Sequence, residues 1–143
     1  MFERIIARLR SASTEELTPM PEADARHALG ALLVRVAKAD GAYLFMEIEE
    51  IDHLLADIYT LNPIEAARMR AECEKLEAAM PDTNELADIL SAAVTDSERD
   101  LFVTALWRVA DADGQRHETE QNVVSIASQT FGMNPEETAA LRR

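Results

Sequence analysis

Two stretches of this chain carry nearly the same message. Leu33-Val-Arg-Val-Ala-Lys-Ala-Asp-Gly41 returns as Leu106-Trp-Arg-Val-Ala-Asp-Ala-Asp-Gly114, at an offset of 73 residues. Over residues 33–47 and 106–120, 8 of 15 positions are identical, and the last identical pair is Glu47 and Glu120. Asn62-Pro63 and Asn134-Pro135 then follow at an offset of 72. The order helix, Asp-Gly, helix, Asn-Pro, helix therefore occurs twice. A unit this short cannot bury its apolar stripe alone. An internal duplication is expected, with repeat A at about 29–70 and repeat B at about 102–142, the two packed as one pseudo-symmetric domain.

The secondary-structure signals are helical throughout. Only four glycines occur, aromatic residues make up 5%, and no β-branched run alternates for long. Eight helices are expected, at about residues 1–10, 22–39, 45–58, 63–80, 84–94, 97–110, 118–131 and from 135 onward. Pro21 suits a first helical turn, Asn62 and Asn134 are amino-terminal caps ahead of Pro, and Ser97 with Asp100 has cap-plus-acid spacing. Gly41 and Gly114 are placed for left-handed helix ends. The fold class is all-α, a single compact domain over residues 22–142, preceded by an amphipathic helix within residues 1–13. A chain of 143 residues has room for one such domain.

Charge and cysteine content narrow the function. Asp and Glu number 27 against 14 Lys and Arg, a formal net charge of -13, which argues against nucleic acid as a partner of the bulk surface. A single cysteine, Cys73, excludes an internal disulfide and a zinc site of clustered thiolates. No run of about 18 apolar residues and no signal-peptide core occurs, so a cytoplasmic location is expected. The opening segment sets Phe2, Ile5, Ile6 and Leu9 on one helical face and Arg4, Arg8 and Arg10 around the others. Such a helix suits three roles: packing on the acidic domain, lying peripherally on the inner membrane surface, or contacting a partner.

The repeated acids are the sharpest candidates. Asp40 continues the stripe of Leu33 and Val36, and Asp113 that of Leu106 and Val109. Glu47 precedes Ile51 and Leu54 on the inward side of the next helix, and Glu120 stands in the same relation to Val124 and Ala127. Carboxylates at a core rim need hydrogen bonds, a cation or a proton. Three explanations stand open. Each Asp can accept backbone N–H groups of its turn while each Glu pairs with the repeated Arg35 or Arg108. Alternatively Asp40, Glu47, Asp113 and Glu120, with Asp111 and Glu118 as further oxygens, can hold a hard cation such as Ca²⁺ or Mg²⁺. The third explanation is a polar docking surface for a protein. An EF-hand does not fit, because a loop starting at Asp111 puts its Gly at position 4 and Asn122 at position 12.

Other residues read more plainly. Glu49, His53 and Asp57 share one helix face at i, i+4, i+8, a weak metal or ion-pair ladder in a stretch whose acids are expected mostly to face solvent. Glu77 is expected on an exposed face, and Trp107 is expected to anchor the core. Cys73 has no His or Asp beside it in sequence, and no P-loop, dinucleotide fingerprint or zinc-peptidase motif occurs. No enzymatic activity is expected.

The phrases Ala37-Lys-Ala-Asp-Gly41 with Glu47, and Ala105-Leu-Trp-Arg-Val-Ala-Asp-Ala-Asp-Gly114 with Glu118 and Glu120, resemble the tellurite-resistance protein B (TerB-like) family. The resemblance spans roughly residues 22–142. It implies an all-helical, internally duplicated domain whose Asp-Gly turns have been proposed to hold divalent cations, with Asp40, Glu47, Asp113 and Glu120 as the matching positions. The first turn departs from the family pattern: Ala42-Tyr-Leu-Phe-Met46 holds no acid before Glu47 and offers large apolar residues for packing or docking. The resemblance implies a binding or scaffold module in a tellurite or stress-response setting, with a protein partner and self-association both open. A divalent-cation-binding protein is the alternative.

Overall fold

Helix α1, Ala25–Lys38, is buried on almost every side, as its sequence demands. Nine of its fourteen residues are buried, from Ala28 to Ala37, because apolar residues occupy all its faces rather than one stripe. In the computed structural model, which describes residues 24–39, 41–114 and 117–142, this helix is the axle of the domain. Around it pack α2 (Phe45–Tyr59), α3 (Pro63–Ala79), α4 (Thr83–Ala93), α5 (Asp96–Ala110) and α6 (Glu118–Thr130), and the short α7 (Pro135–Ala140) leans on α6. A single continuous core joins Leu29, Leu33, Ile51, Leu55, Leu86, Leu106 and Val124.

The domain is all-helical, with seven helices and no strand among the described residues. They match seven of the eight helices expected. The eighth, within residues 1–13, lies outside the described residues, as do Pro21 and Asp40.

Local capping chemistry sets the boundaries. Asn62 Oδ1 accepts from Glu65 N at 2.8 Å and Glu65 Oε1 accepts from Asn62 N at 2.9 Å, so two otherwise orphaned donors are satisfied at the start of α3. Asn134 and Glu137 repeat the arrangement at α7, at 2.7 and 3.0 Å. Two starts differ from the sequence expectation. Helix α1 begins after Asp24, whose Oδ1 accepts from His27 N at 2.9 Å. Helix α5 is capped by Thr95 rather than Ser97, because Thr95 and Glu98 close a full capping box, which Ser97 and Asp100 do not match. Gly41 and Gly114 both take positive φ, 87° and 76°, the left-handed conformation expected where these helices end.

Candidate functional site

Glu47 and Glu120 occupy the same place in two helices. Each is the third residue of its helix, α2 and α6, and each is 0% exposed. Glu47 Oε1 accepts from the cap residue's N–H, Leu44 N, at 2.8 Å, half of a capping box to which the leucine side chain returns nothing. The carboxylate therefore sits at the positive end of the helix dipole, where negative charge is stabilised. Asp113 is also sequestered: its side chain is 7% exposed and its Oδ2 lies 3.2 Å from His117 Nε2, across the turn between α5 and α6.

The second-tier acids go different ways. Asp111 ends α5 and is held by both Nε and Nη2 of Arg142, the former at 2.9 Å. Glu118 is the first residue of α6 and faces solvent. Among the described residues no three His, Cys, Asp or Glu side chains gather as metal ligands. Asp40, the fourth member of the principal set, is outside that description.

The arginine partners expected for the repeated glutamates are engaged elsewhere. Arg35 Nε donates to Glu77 Oε2 at 3.1 Å, and its other nitrogens donate to the carbonyls of Glu77, Met80 and Pro81 and to Thr83 Oγ1. Arg108 pairs with Glu50 at 2.9 Å on a half-exposed face. The reason is geometric. Both arginines lie in the last turn of their helices and reach sideways to neighbouring ones, Arg35 to Glu77 of α3 and Arg108 to Glu50 of α2. Glu77 accordingly is buried, not on the exposed face expected for it.

Trp107 is an anchor, as its place in the repeat suggests. It is 6% exposed, its Nε1 donates to the Thr138 carbonyl at 2.8 Å, and Arg142 stacks over its ring at 4.3 Å. A groove of about 340 Å³ beside it is lined by Glu50, Thr104, Trp107, Arg108, Asp111 and Leu141. Cys73 is fully buried, and burial, aided by nearby Glu72, Asp24 and Glu74, pushes its thiol pKa up to about 12. That is far from a nucleophile's thiolate. Glu49, His53 and Asp57 are exposed along α2, as expected. At the head of the same helix Phe45 is 71% and Met46 48% exposed, while Tyr43 turns in and donates from its hydroxyl to Glu74 Oε2 at 2.7 Å.

One constellation escaped the sequence reading. His27 lies between Asp24 and Glu72, with a carboxylate oxygen 2.8 Å from each ring nitrogen. Asp24 is three residues away and legible as a cap, but Glu72 is 45 residues distant and only the packing of α1 on α3 brings it near.

Fold and site together define a small helical-bundle module with carboxylates seated at equivalent helix starts. The TerB family profile, described as Tellurite resistance protein TerB, matches residues 26–143, and the chain belongs to that family. None of the curated proteins and none of the solved structures matches it. Among the described residues no helix is long and apolar enough to cross a membrane.

Proposed function

We propose that this chain is a non-catalytic binding or scaffold module built by duplication, whose repeated acids hold its turns in shape while the head of α2 meets a protein partner. The observation that carries the reading is the exposed pair Phe45 and Met46, adjacent on α2 above the acidic ladder of Glu49 and Asp57. Large apolar side chains left in water at a helix start gain by being covered. Duplication is supported by the paired positions: Glu47 and Glu120, Gly41 and Gly114, and the Asn62 and Asn134 boxes. Tellurite resistance is the setting that the family's description suggests. The test is affinity capture with the wild type and with Phe45→Asp/Met46→Asp, after circular dichroism has established that both fold. A protein held by the wild type and lost on the double variant supports the reading; identical captures overturn it.

A second reading is favoured by the burial of Glu47, Glu120 and Asp113 at matching turns: a Ca²⁺ or Mg²⁺ site that Asp40 would complete. The position of both glutamates at helix amino ends weighs against it, since that end already supplies positive potential. Calorimetric titration of chelator-stripped protein decides. Saturable heat that Glu47→Gln/Glu120→Gln removes supports the cation site, and a flat wild-type titration sinks it.

A further inference from the structure

We propose that His27, held as an imidazolium between Asp24 and Glu72, is a pH-responsive latch that fastens the amino-terminal end of α1 to α3 and frees Glu72 when it loses its proton. The ring geometry carries the argument. His27 Nδ1 lies 2.8 Å from Asp24 Oδ1, and Nε2 lies 2.8 Å from Glu72 Oε1. Ionised carboxylates only accept hydrogen bonds, and a neutral imidazole has one N–H to give. Both contacts are hydrogen bonds only when both ring nitrogens carry a proton. In the neutral ring one nitrogen lone pair would face an anionic oxygen at hydrogen-bond distance, which is repulsive.

The two carboxylates are not equally bound. Asp24 also accepts from His27 N at 2.9 Å as the cap of α1, so its position is fixed by the helix start. Glu72 is 45% exposed and can rotate into water. On deprotonation the remaining proton therefore stays on Nδ1 toward Asp24, and Glu72 is the partner released.

The surrounding charges favour the protonated latch. Asp24, Arg26, His27, Glu65, Arg68 and Glu72 line one pocket of about 210 Å³ between α1 and α3. Three carboxylates face two guanidinium groups there, so an imidazolium brings the pocket to neutrality. Arg26 is drawn toward α2, its guanidinium 4.3 Å from the centre of the Tyr59 ring. Arg68 stands one turn before Glu72 on α3, the i, i+4 neighbour that can receive the released carboxylate. Burial alone would lower the pKa of His27, but hydrogen bonds and charge from Glu72 and Asp24 outweigh it and raise the pKa above the ordinary 6.5. A raised folded-state pKa means that the latch's contribution is complete below pH 6.5 and fades as pH climbs through the folded value.

Long-range proton–nitrogen NMR of the histidine rings, on the full chain from about pH 5 to pH 9, tests the latch; His27→Gln assigns the signal. The expected result is a His27 midpoint above 6.5, both ring nitrogens protonated below it, and a lower midpoint in Glu72→Gln. In the wild type the Glu72 carboxyl carbon shift should move with the His27 midpoint, and in His27→Gln that step should vanish. A midpoint at or below 6.5, or one unchanged by Glu72→Gln, overturns the proposal, as does a Glu72 shift that ignores the His27 titration.

Discussion

Arg35, near the end of α1, holds Glu77, near the end of α3, twice: Nε donates to the carboxylate at 3.1 Å and Nη2 to the backbone carbonyl at 2.7 Å. Further donations to the Met80 and Pro81 carbonyls make this guanidinium a cap for the carbonyls that α3 leaves without helical partners. Both side chains are 11% exposed, and Lys38 Nζ meets the same carboxylate at 2.9 Å. Removing one partner from such a pair strands the other in a poorly solvated site. Arg35→Met is expected to cost about 3 kcal/mol and Glu77→Ala a comparable amount. Glu49→Ala, on the solvent side of α2, should stay within about 0.5 kcal/mol of the wild type. Urea denaturation reads all three, and three equal midpoints would refute the assignment.

Among the described residues, Gly30 is the one glycine where an added Cβ meets another side chain. A Cβ there would lie 2.1 Å from Cys73 Sγ and 3.0 Å from Cys73 Cβ. On an exposed helix Gly→Ala gains up to about 1 kcal/mol. Here the overlap must be relieved by moving α3 away from α1, and overpacking of this kind costs about 1–3 kcal/mol. Gly30→Ala should therefore lower the melting temperature. Adding Cys73→Ala to it should recover part of the loss, because the sulfur goes while the tight Cβ contact stays. A single variant as stable as the wild type would mean that the helices do not approach this closely.

Much of this was legible from sequence, for local reasons. The helices follow from capping residues and apolar spacing within a few positions, so the Asn62 and Asn134 starts and the Asp-Gly ends agree with the structure. Thr95 was missed because two overlapping cap signals compete there, and the one that closes a reciprocal box prevails. The burial of Glu47 and Glu120 was legible from their register against Ile51 and Val124. Their expected pairing with Arg35 and Arg108 was not met. Spacing along a chain fixes the face a side chain takes, but its partner depends on which helix covers that face. Arg35 with Glu77, and His27 with Glu72, both cross from α1 to α3 over more than 40 residues, and nothing local encodes them.

The thiol of Cys73 should act as a silent reporter of unfolding. It is 0% exposed at the contact between α1 and α3, and its pKa is pushed up to about 12, so thiolate is scarce at pH 8. A thiol reagent such as 5,5′-dithiobis(2-nitrobenzoate) should react slowly with native protein at that pH and promptly in denaturing urea. Gly30→Ala, which strains the same contact, should quicken the native reaction by several-fold through more frequent opening. A fast reaction in native wild type would contradict the burial.

The short helix α7 is tied down through a stack that a single fluorophore can report. Arg142 lies 4.3 Å over the ring of Trp107, the only tryptophan, while its guanidinium grips the Asp111 carboxylate at the end of α5. Trp107 Nε1 in turn donates to the Thr138 carbonyl within α7. Removing Arg142 uncovers one face of the indole and leaves Asp111 without its fork. Arg142→Ala is thus expected to red-shift Trp107 emission and to cost about 1–2 kcal/mol, summing a cation–π contact and a partly exposed ion pair. Arg142→Lys keeps the charge but not the planar fork, so it should recover less than half of that loss. Because α7 spans only six residues and packs mainly on α6, its amide protection should fall in Arg142→Ala while that of α1 holds. Unchanged emission together with unchanged α7 exchange in Arg142→Ala would show that the stack holds nothing in place.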